Sequence, residues 1–343
     1  MISIGNAMKG ALAFLLLPLS LVPLYFAIPN IRSEVAQAEP DRAPFDAPKL
    51  EPSAAQVARW RALPAIRGAV PVLAYHGVNG DGDHYSVTRR QFAEQMMMLD
   101  RAGFETITIA EYVRFLQGVT VNLPQRPILI TFDDGRLDSY RGADRILAKH
   151  GFRATMFAIA GFVEEHSSFY LTWDELRTMA TNKRWDIQEH AGVGHINVRY
   201  DAAGHEGPAY AYRQYHPGRG LESFGAYKKR VQDDILWAKR TMSEQLPSFN
   251  PLSFAVPYGS YGQDRTNDAR IPGFMSRLLR RHFKAVFMTE PPVYSKPSSP
   301  HSALPRIELN ADIRTDTLYR WLRERIPEAG PGSLSGAAGP ASG

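Results

Sequence analysis

The chain has 343 residues, and its 40 Lys plus Arg against 35 Asp plus Glu leave an excess of +5. That excess is mild and spread along the sequence, which argues against nucleic acid as the main partner. Cysteine is absent, so disulfides, thiolate metal sites, a cysteine nucleophile and a lipid-modified cysteine anchor are all excluded.

In chain order, the first feature is an uncharged run of 19 residues after Lys9, from Gly10 to Ile28, about the length that crosses a bilayer. The small-residue pattern Ala36-Gln37-Ala38 lies far beyond that run for a signal-peptidase site. Residues 1–28 are therefore expected to be a signal anchor, with a cleaved signal peptide as the alternative. Either reading places the rest of the chain outside the cytoplasm, membrane-anchored or secreted. Residues 29–66, rich in Pro, Ala and charge, read as a linker, 67–326 as the folded domain, and 327–343 as a disordered low-complexity tail.

Within the domain, apolar runs alternate with helical patterns. Strands are expected at Pro71–Val78, Ile128–Phe132, Ala154–Ile159, Trp185–Glu189, Leu252–Val256, Ala285–Met288 and Arg306–Leu309. Helices are expected at Arg89–Ala102, Ile109–Gln117, Leu137–His150, Trp173–Thr181, Phe224–Leu246, Met275–His282 and Thr315–Arg325. Thr172 followed by Glu175 is a capping box for one of them. Such alternation means a parallel sheet, and about seven units suggest an α/β barrel, whose chemistry gathers at the carboxyl ends of its strands.

Several polar residues stand at those ends. The second strand runs straight into Asp133 and Asp134, and another ends at Glu189 with His190 next and His195 five residues later. His76 lies near the end of the first strand, and Pro257-Tyr258-Gly259 forms a turn after the fifth. Two adjacent carboxylates where a buried strand stops are costly unless a cation relieves them. Two neutral imidazoles and one carboxylate make a facial site for a divalent ion with positions left open. Of the two aspartates only one can turn towards the ion, which leaves the other as general base. Zn2+ suits this donor set first, and Co2+, Ni2+ or Fe2+ can take it.

Thr131 to Gly135, TFDDG, is similar to the first signature of the polysaccharide deacetylases, carbohydrate esterase family 4, also called the NodB homology domain. The segment Thr172 to His190 resembles the approach to that family's metal-binding histidines. The resemblance covers roughly residues 70–325 and implies a single domain, a distorted (β/α)7 barrel that removes acetyl groups from N-acetylated sugars. It implies Asp133 as general base, with Asp134, His190 and His195 as metal ligands. It further implies the Tyr258 N–H as oxyanion donor, and the Leu73 and Tyr258 side chains as lining of an acetyl pocket.

Three features depart from the common family pattern. The histidines are five apart rather than four, Ala255 stands where the third motif usually has an arginine that orients the base, and no late Leu-x-His supplies an acid. The branch that deacetylates poly-β-1,6-N-acetylglucosamine resembles this chain on each count, and by that resemblance His76 is the general acid. His301, in the approach to the last strand, is the other candidate for that role. Residues 196–223, with Tyr200, Tyr210, Tyr212 and Tyr215, read as part of a glycan groove, or alternatively as a disordered insertion. A peptidoglycan or chitooligosaccharide substrate would use the same site, and a membrane-tethered glycan-binding pseudoenzyme is the non-enzymatic alternative. The partners expected are thus an N-acetylated polysaccharide and the membrane, with the protein a monomer.

Overall fold

The computed structural model describes residues 45, 47–119, 122–163, 168–289 and 294–326. Most elements begin and end where local chemistry demands. Helix α1 is Ala54–Arg61, opened by a capping box between Ser53 and Gln56. Strand β1, Val72–Tyr75, is followed after one residue by β2, Gly77–Asn79, which pairs with β3, Ser86–Thr88. Next come α2 (Arg89–Arg101), β4 (Glu105–Thr106), α3 (Ile109–Leu116), β5 (Pro127–Phe132) and α4 (Leu137–His150). Gly151, at φ 67°, stops α4 in the left-handed conformation that glycine adopts without penalty.

The second half contains β6 (Ala154–Ile159), α5 (Trp173–Thr181) and β7 (Trp185–Ala191). The expected capping box is present at α5, with Thr172 and Glu175 each accepting from the other's backbone N–H. Two antiparallel hairpins follow, β8/β9 (Asn197–Arg199, Glu206–Pro208) and β10/β11 (Tyr215–His216, Gly220–Leu221). The chain ends with α6 (Phe224–Gln245), β12 (Ser253–Ala255), α7 (Ile271–His282), β13 (Ala285–Phe287), β14 (Ile307–Glu308) and α8 (Thr315–Glu324). Helix α7 starts four residues before the expected Met275, because Pro272 is well suited to a first helical turn.

The strands form one curled parallel sheet in the order β13-β12-β7-β6-β5-β1-β14, with β4 added beside β5. Its two ends meet at a parallel bridge between Phe287 and Leu304, where Leu304 N–H donates to Val286 O and Met288 N–H to Leu304 O, both at 2.8 Å. The seven-strand barrel expected from the sequence is therefore distorted at this seam, where one bridge replaces a full ladder.

Strand alternation sorts the core into two clusters. On the inner face Val72, Leu129, Phe157, Ala255 and Phe287 pack with Ile109, Tyr112 and Leu116 of α3. On the outer face Leu73, Tyr75, Ile130, Phe132, Met156 and Ile187 pack against Phe92, Met96, Ile146, Leu176 and Leu322 of the surrounding helices.

Residues 53–66, assigned by composition to the linker, belong to this outer layer. Trp60, Leu63 and Ile66 are buried in it, and Ile66 N–H donates to Gln125 O at 2.8 Å. Composition hid this because α1 fully buries only Trp60, with Val57 partly covered, while its alanines, Gln56 and arginines stay exposed. The expected membrane segment and the tail 327–343 lie outside the described residues, among which no helix is long and apolar enough to cross a membrane.

Removing the Trp60 anchor tests this boundary. Trp60→Ala is expected to cost about 3–5 kcal/mol, the usual penalty for deleting a buried large aromatic. An unchanged urea midpoint would return residues 53–66 to the linker.

Candidate active site

Alternation along β5 turns Leu129, Thr131 and Asp133 towards the inside, while Ile128, Ile130 and Phe132 face the helices. Asp134 and Gly135 then both take left-handed backbone, at φ 72° and 71°. Aspartate tolerates that conformation better than most residues, and a Cβ at Gly135 would press on Ala158 at 3.3 Å. This turn gives adjacent carboxylates different directions.

Asp133 is buried and held at both oxygens by Arg306, whose Nη1 and Nη2 donate at 2.7 and 2.6 Å. Arg306 is itself fully buried, giving Nη1 also to Thr131 Oγ1 and Nε to Met288 O, both at 3.2 Å. Burial would raise the Asp133 pKa, but Arg306 together with the histidines outweighs it and holds the carboxyl below its ordinary value. Sequence reasoning missed Arg306. It noted only that the base-orienting arginine was missing at Ala255, and the available signal was a charged residue opening the last apolar strand.

Asp134 faces the histidines. Its Oδ1 lies 3.4 Å from Nε2 of His190 and 3.4 Å from Nε2 of His195, and one donor atom from each of the three residues lies within 4.8 Å of the others. His190 Nδ1 sits 2.7 Å from Ala255 O. A carbonyl only accepts, so Nδ1 carries the proton and Nε2 points its lone pair at Asp134. Burial lowers the His195 pKa to about 4, which keeps its ring neutral at ordinary pH. For Asp134, burial works upward but is overcome by the neighbouring imidazoles of His190, His195 and His76, so the carboxyl is held far below its usual range.

Asp134 Oδ1 is buried without a hydrogen-bond partner. An orphaned anionic oxygen beside two imidazole nitrogens fits a divalent cation, and the donor set is the expected His, His and Asp.

His76 occupies the one-residue break between β1 and β2, where the sequence suggested one continuous strand. Its Nδ1 is buried, without a hydrogen bond and 4.0 Å from the Glu308 carboxylate. The ring is near enough to act electrostatically on Asp133, Asp134 and His195. His301, the other candidate acid, lends its carbonyl to Val286 N–H beside the barrel seam.

Tyr258 adopts φ 55° in a short 3-10 turn, Pro257–Gly259. Among the described residues its N–H has no acceptor, and its ring lies 4.3 Å from the His195 ring. Leu73 does not line an acetyl pocket. It shares the outer face with Tyr75, which donates to Gln95 of α2 at 2.8 Å, and is buried among the helices. Only its carbonyl turns inward, accepting from Thr131 Oγ1.

The insertion tyrosines are largely occupied with their neighbours. Tyr200 stacks on Tyr212 at 4.2 Å, Tyr215 receives Arg199, and Tyr210 is buried. The exposed aromatics at the site are Tyr258, 45% exposed, and Tyr85, 58% exposed and 6.2 Å from His76. Tyr85 escaped notice because it lies in a short polar loop without periodicity.

Residues 120–275, a little under half of the chain, match the polysaccharide deacetylase family. Among its relatives is the poly-β-1,6-N-acetyl-D-glucosamine N-deacetylase of Escherichia coli K12, 24% identical over 207 residues, which cover 54% of this chain and 30% of that protein. The enzyme of the same name from Staphylococcus epidermidis is 22% identical over 241 residues, 69% of this chain and 73% of its own length. The match thus spans about a third of the E. coli protein. Among solved structures, a de-N-acetylase from Aggregatibacter actinomycetemcomitans superposes with a TM-score of 0.65 at 19% identity, covering 74% of this chain and 99% of that one. IcaB from Ammonifex degensii gives 0.57 at 24% identity, with 75% and 97% covered. These likenesses establish the fold.

The Arg306–Asp133 pair makes a clean thermodynamic prediction. Arg306→Leu strands a buried carboxylate and is expected to cost about 3–5 kcal/mol, whereas Arg306→Leu with Asp133→Leu should recover much of the loss. Urea unfolding of both reads the coupling, and a single variant as stable as the parent would refute it.

Proposed function

We propose that the chain is a metal-dependent hydrolase that removes N-acetyl groups from N-acetylglucosamine units of an extracellular polysaccharide, poly-β-1,6-N-acetylglucosamine foremost. The observation that carries this reading is the convergence of Asp134, His190 and His195 beside an arginine-held Asp133, with His76 on the same cluster. Asp134, His190 and His195 would hold the ion, with Zn2+ the first candidate. A divalent ion, when bound, supplies Lewis acidity towards the acetyl carbonyl and the attacking water.

The chain's own groups account for the rest. Asp133 takes the proton of the attacking water. Arg306 occupies both of its oxygens, yet each keeps a further lone pair, and the fork fixes where that pair points. The Tyr258 N–H donates to the oxygen that gains charge as the acetyl carbon becomes tetrahedral. His76 returns a proton to the departing amine, held between two short strands rather than on a loose loop. Tyr85 and Tyr258 flank the cluster as faces on which sugar rings can stack.

The choice of glycan is supported by the five-residue histidine spacing, the alanine at 255 and the early His76. It is also supported by the names of the E. coli and S. epidermidis relatives. The uncharged Gly10–Ile28 run supports an extracytoplasmic, membrane-tethered or secreted enzyme.

Acetate release from poly-β-1,6-N-acetylglucosamine, chitooligosaccharides and peptidoglycan, compared side by side, tests the substrate. A preference for either of the latter would overturn the glycan assigned here. His190→Ala, His195→Ala and Asp134→Asn are each expected to lose both activity and stoichiometric metal, because two remaining ligands hold a divalent ion poorly. Asp133→Asn should keep its metal and lose about 10²–10⁴-fold in rate. Metal analysis separates the two aspartates, and loss of metal from Asp133→Asn would exchange their roles.

His76→Ala is expected to keep metal and fold while losing most amide turnover. The defect should shrink on an ester whose leaving group departs unprotonated. Equal losses on amide and ester would remove His76 as the acid.

A further inference from the structure

The segment between His190 and His195 reads Ala191-Gly192-Val193-Gly194, and such a glycine-rich stretch has much freedom to lose when it orders. It is nevertheless gripped from two sides. From the turn just after β6, Ala160 N–H donates to Ala191 O and Gly161 N–H to Gly192 O, both at 2.9 Å. From α6, the Asp234 carboxylate accepts three consecutive backbone N–H groups, those of Gly192 at 3.1 Å, Val193 at 2.7 Å and Gly194 at 3.2 Å.

Successive N–H groups turned one way form an anion-binding concavity, and here its anion comes from the same chain. The Tyr210 hydroxyl, in the insertion, donates to the same carboxylate. Helix α6 and the insertion are tied in turn, by Tyr227 OH to Tyr210 O and by Arg230 to the carbonyls of Ala209 and Tyr212 at 3.1 Å.

Both glycines are required by this grip. A Cβ on Gly192 would lie 2.5 Å from Asp234 Oδ1, and one on Gly194 would lie 2.7 Å from Asp234 Oδ2. The wide histidine spacing and the two glycines thus have a common cause, since the loop must bring its bare backbone onto a carboxylate before it can deliver the second histidine.

We infer that Asp234, supported by Tyr210, is a positioning residue that sets the loop carrying His195 and so preorganises the Asp134–His190–His195 cluster. The inference rests on the reading of His195 as a metal ligand. Asp234 touches neither the ligand atoms nor the acetyl group in this scheme, and acts through the backbone of residues 192–194. The tyrosine-bearing insertion then serves the site by bracing this clamp, with less of its aromatic surface free for sugar than its composition suggested.

The test uses the protein titrated with Co2+, whose visible absorption reports ligand number and geometry. Asp234→Ala is expected to weaken Co2+ binding by about 10–100-fold, the usual cost of removing a group that orients a metal ligand, and to change the absorption band. Tyr210→Phe, which leaves the three N–H contacts in place, should weaken binding less, and Asp234→Asn should fall between the two. The melting temperature of each metal-free variant provides the control.

Unchanged Co2+ affinity and spectrum in Asp234→Ala would overturn the inference, as would a loss that merely parallels a fall in metal-free melting temperature. Should Asp234→Ala fail to fold, parental affinity in both Asp234→Asn and Tyr210→Phe would overturn it equally. Failure of the parent itself to bind Co2+ would instead refute the metal-site reading on which the inference rests.

Discussion

Two carboxylates on consecutive buried residues repel each other and lose their hydration, so each needs its own source of positive charge or hydrogen bonding. Asp133 finds it in Arg306, which reaches from the start of β14 across the barrel interior with a two-pronged grip. Asp134 is turned the other way by a left-handed backbone and meets two imidazole nitrogens, with one buried oxygen still unanswered. This division of one dipeptide between two partners organises the carboxyl-end face of the sheet, since Arg306, His190, His195 and His76 all gather around it.

The scaffold converts that electrostatic demand into precise placement. Strand alternation sends Leu129, Thr131 and Asp133 inward, and the same alternation along β7 sends His190 inward while Trp185 and Ile187 join the helix layer. The hydrogen bond from His190 to the Ala255 carbonyl assigns that backbone a role in the site, although its side chain has none. An arginine at position 255 would have occupied the inner face that Arg306 now reaches. The orienting cation is thus supplied from the strand beside the seam, where β14 lies next to β1 and β1 next to β5.

The helices and insertion contribute by holding loops rather than by presenting reactive groups. Tyr75 anchors β1 to Gln95 of α2, just before the break in the strand at His76. Asp234 of α6 gathers the backbone between the two histidines, with Tyr210 and Arg230 fastening the insertion to the same helix. A 22-residue helix with few buried side chains would look peripheral by hydrophobicity alone, yet it approaches the centre through one carboxylate.

The sequence by itself determined what is local. Capping at Thr172 and the period-two and helical apolar patterns placed α4, α5 and β6 at their observed boundaries, because those signals act within a few residues. The Asp133-Asp134 pair and the two histidines were legible for the same reason, each standing at the end of a recognisable strand. What only the tertiary structure decided depends on residues far apart in the chain. Arg306 meets Asp133 across 173 positions and Asp234 meets Gly192 across 42, while Trp60 draws a polar helix into the domain and Leu73 turns to the helix side. Strand order, barrel closure and the direction of each side chain set those encounters, and no periodicity or motif in a single stretch of sequence encodes them.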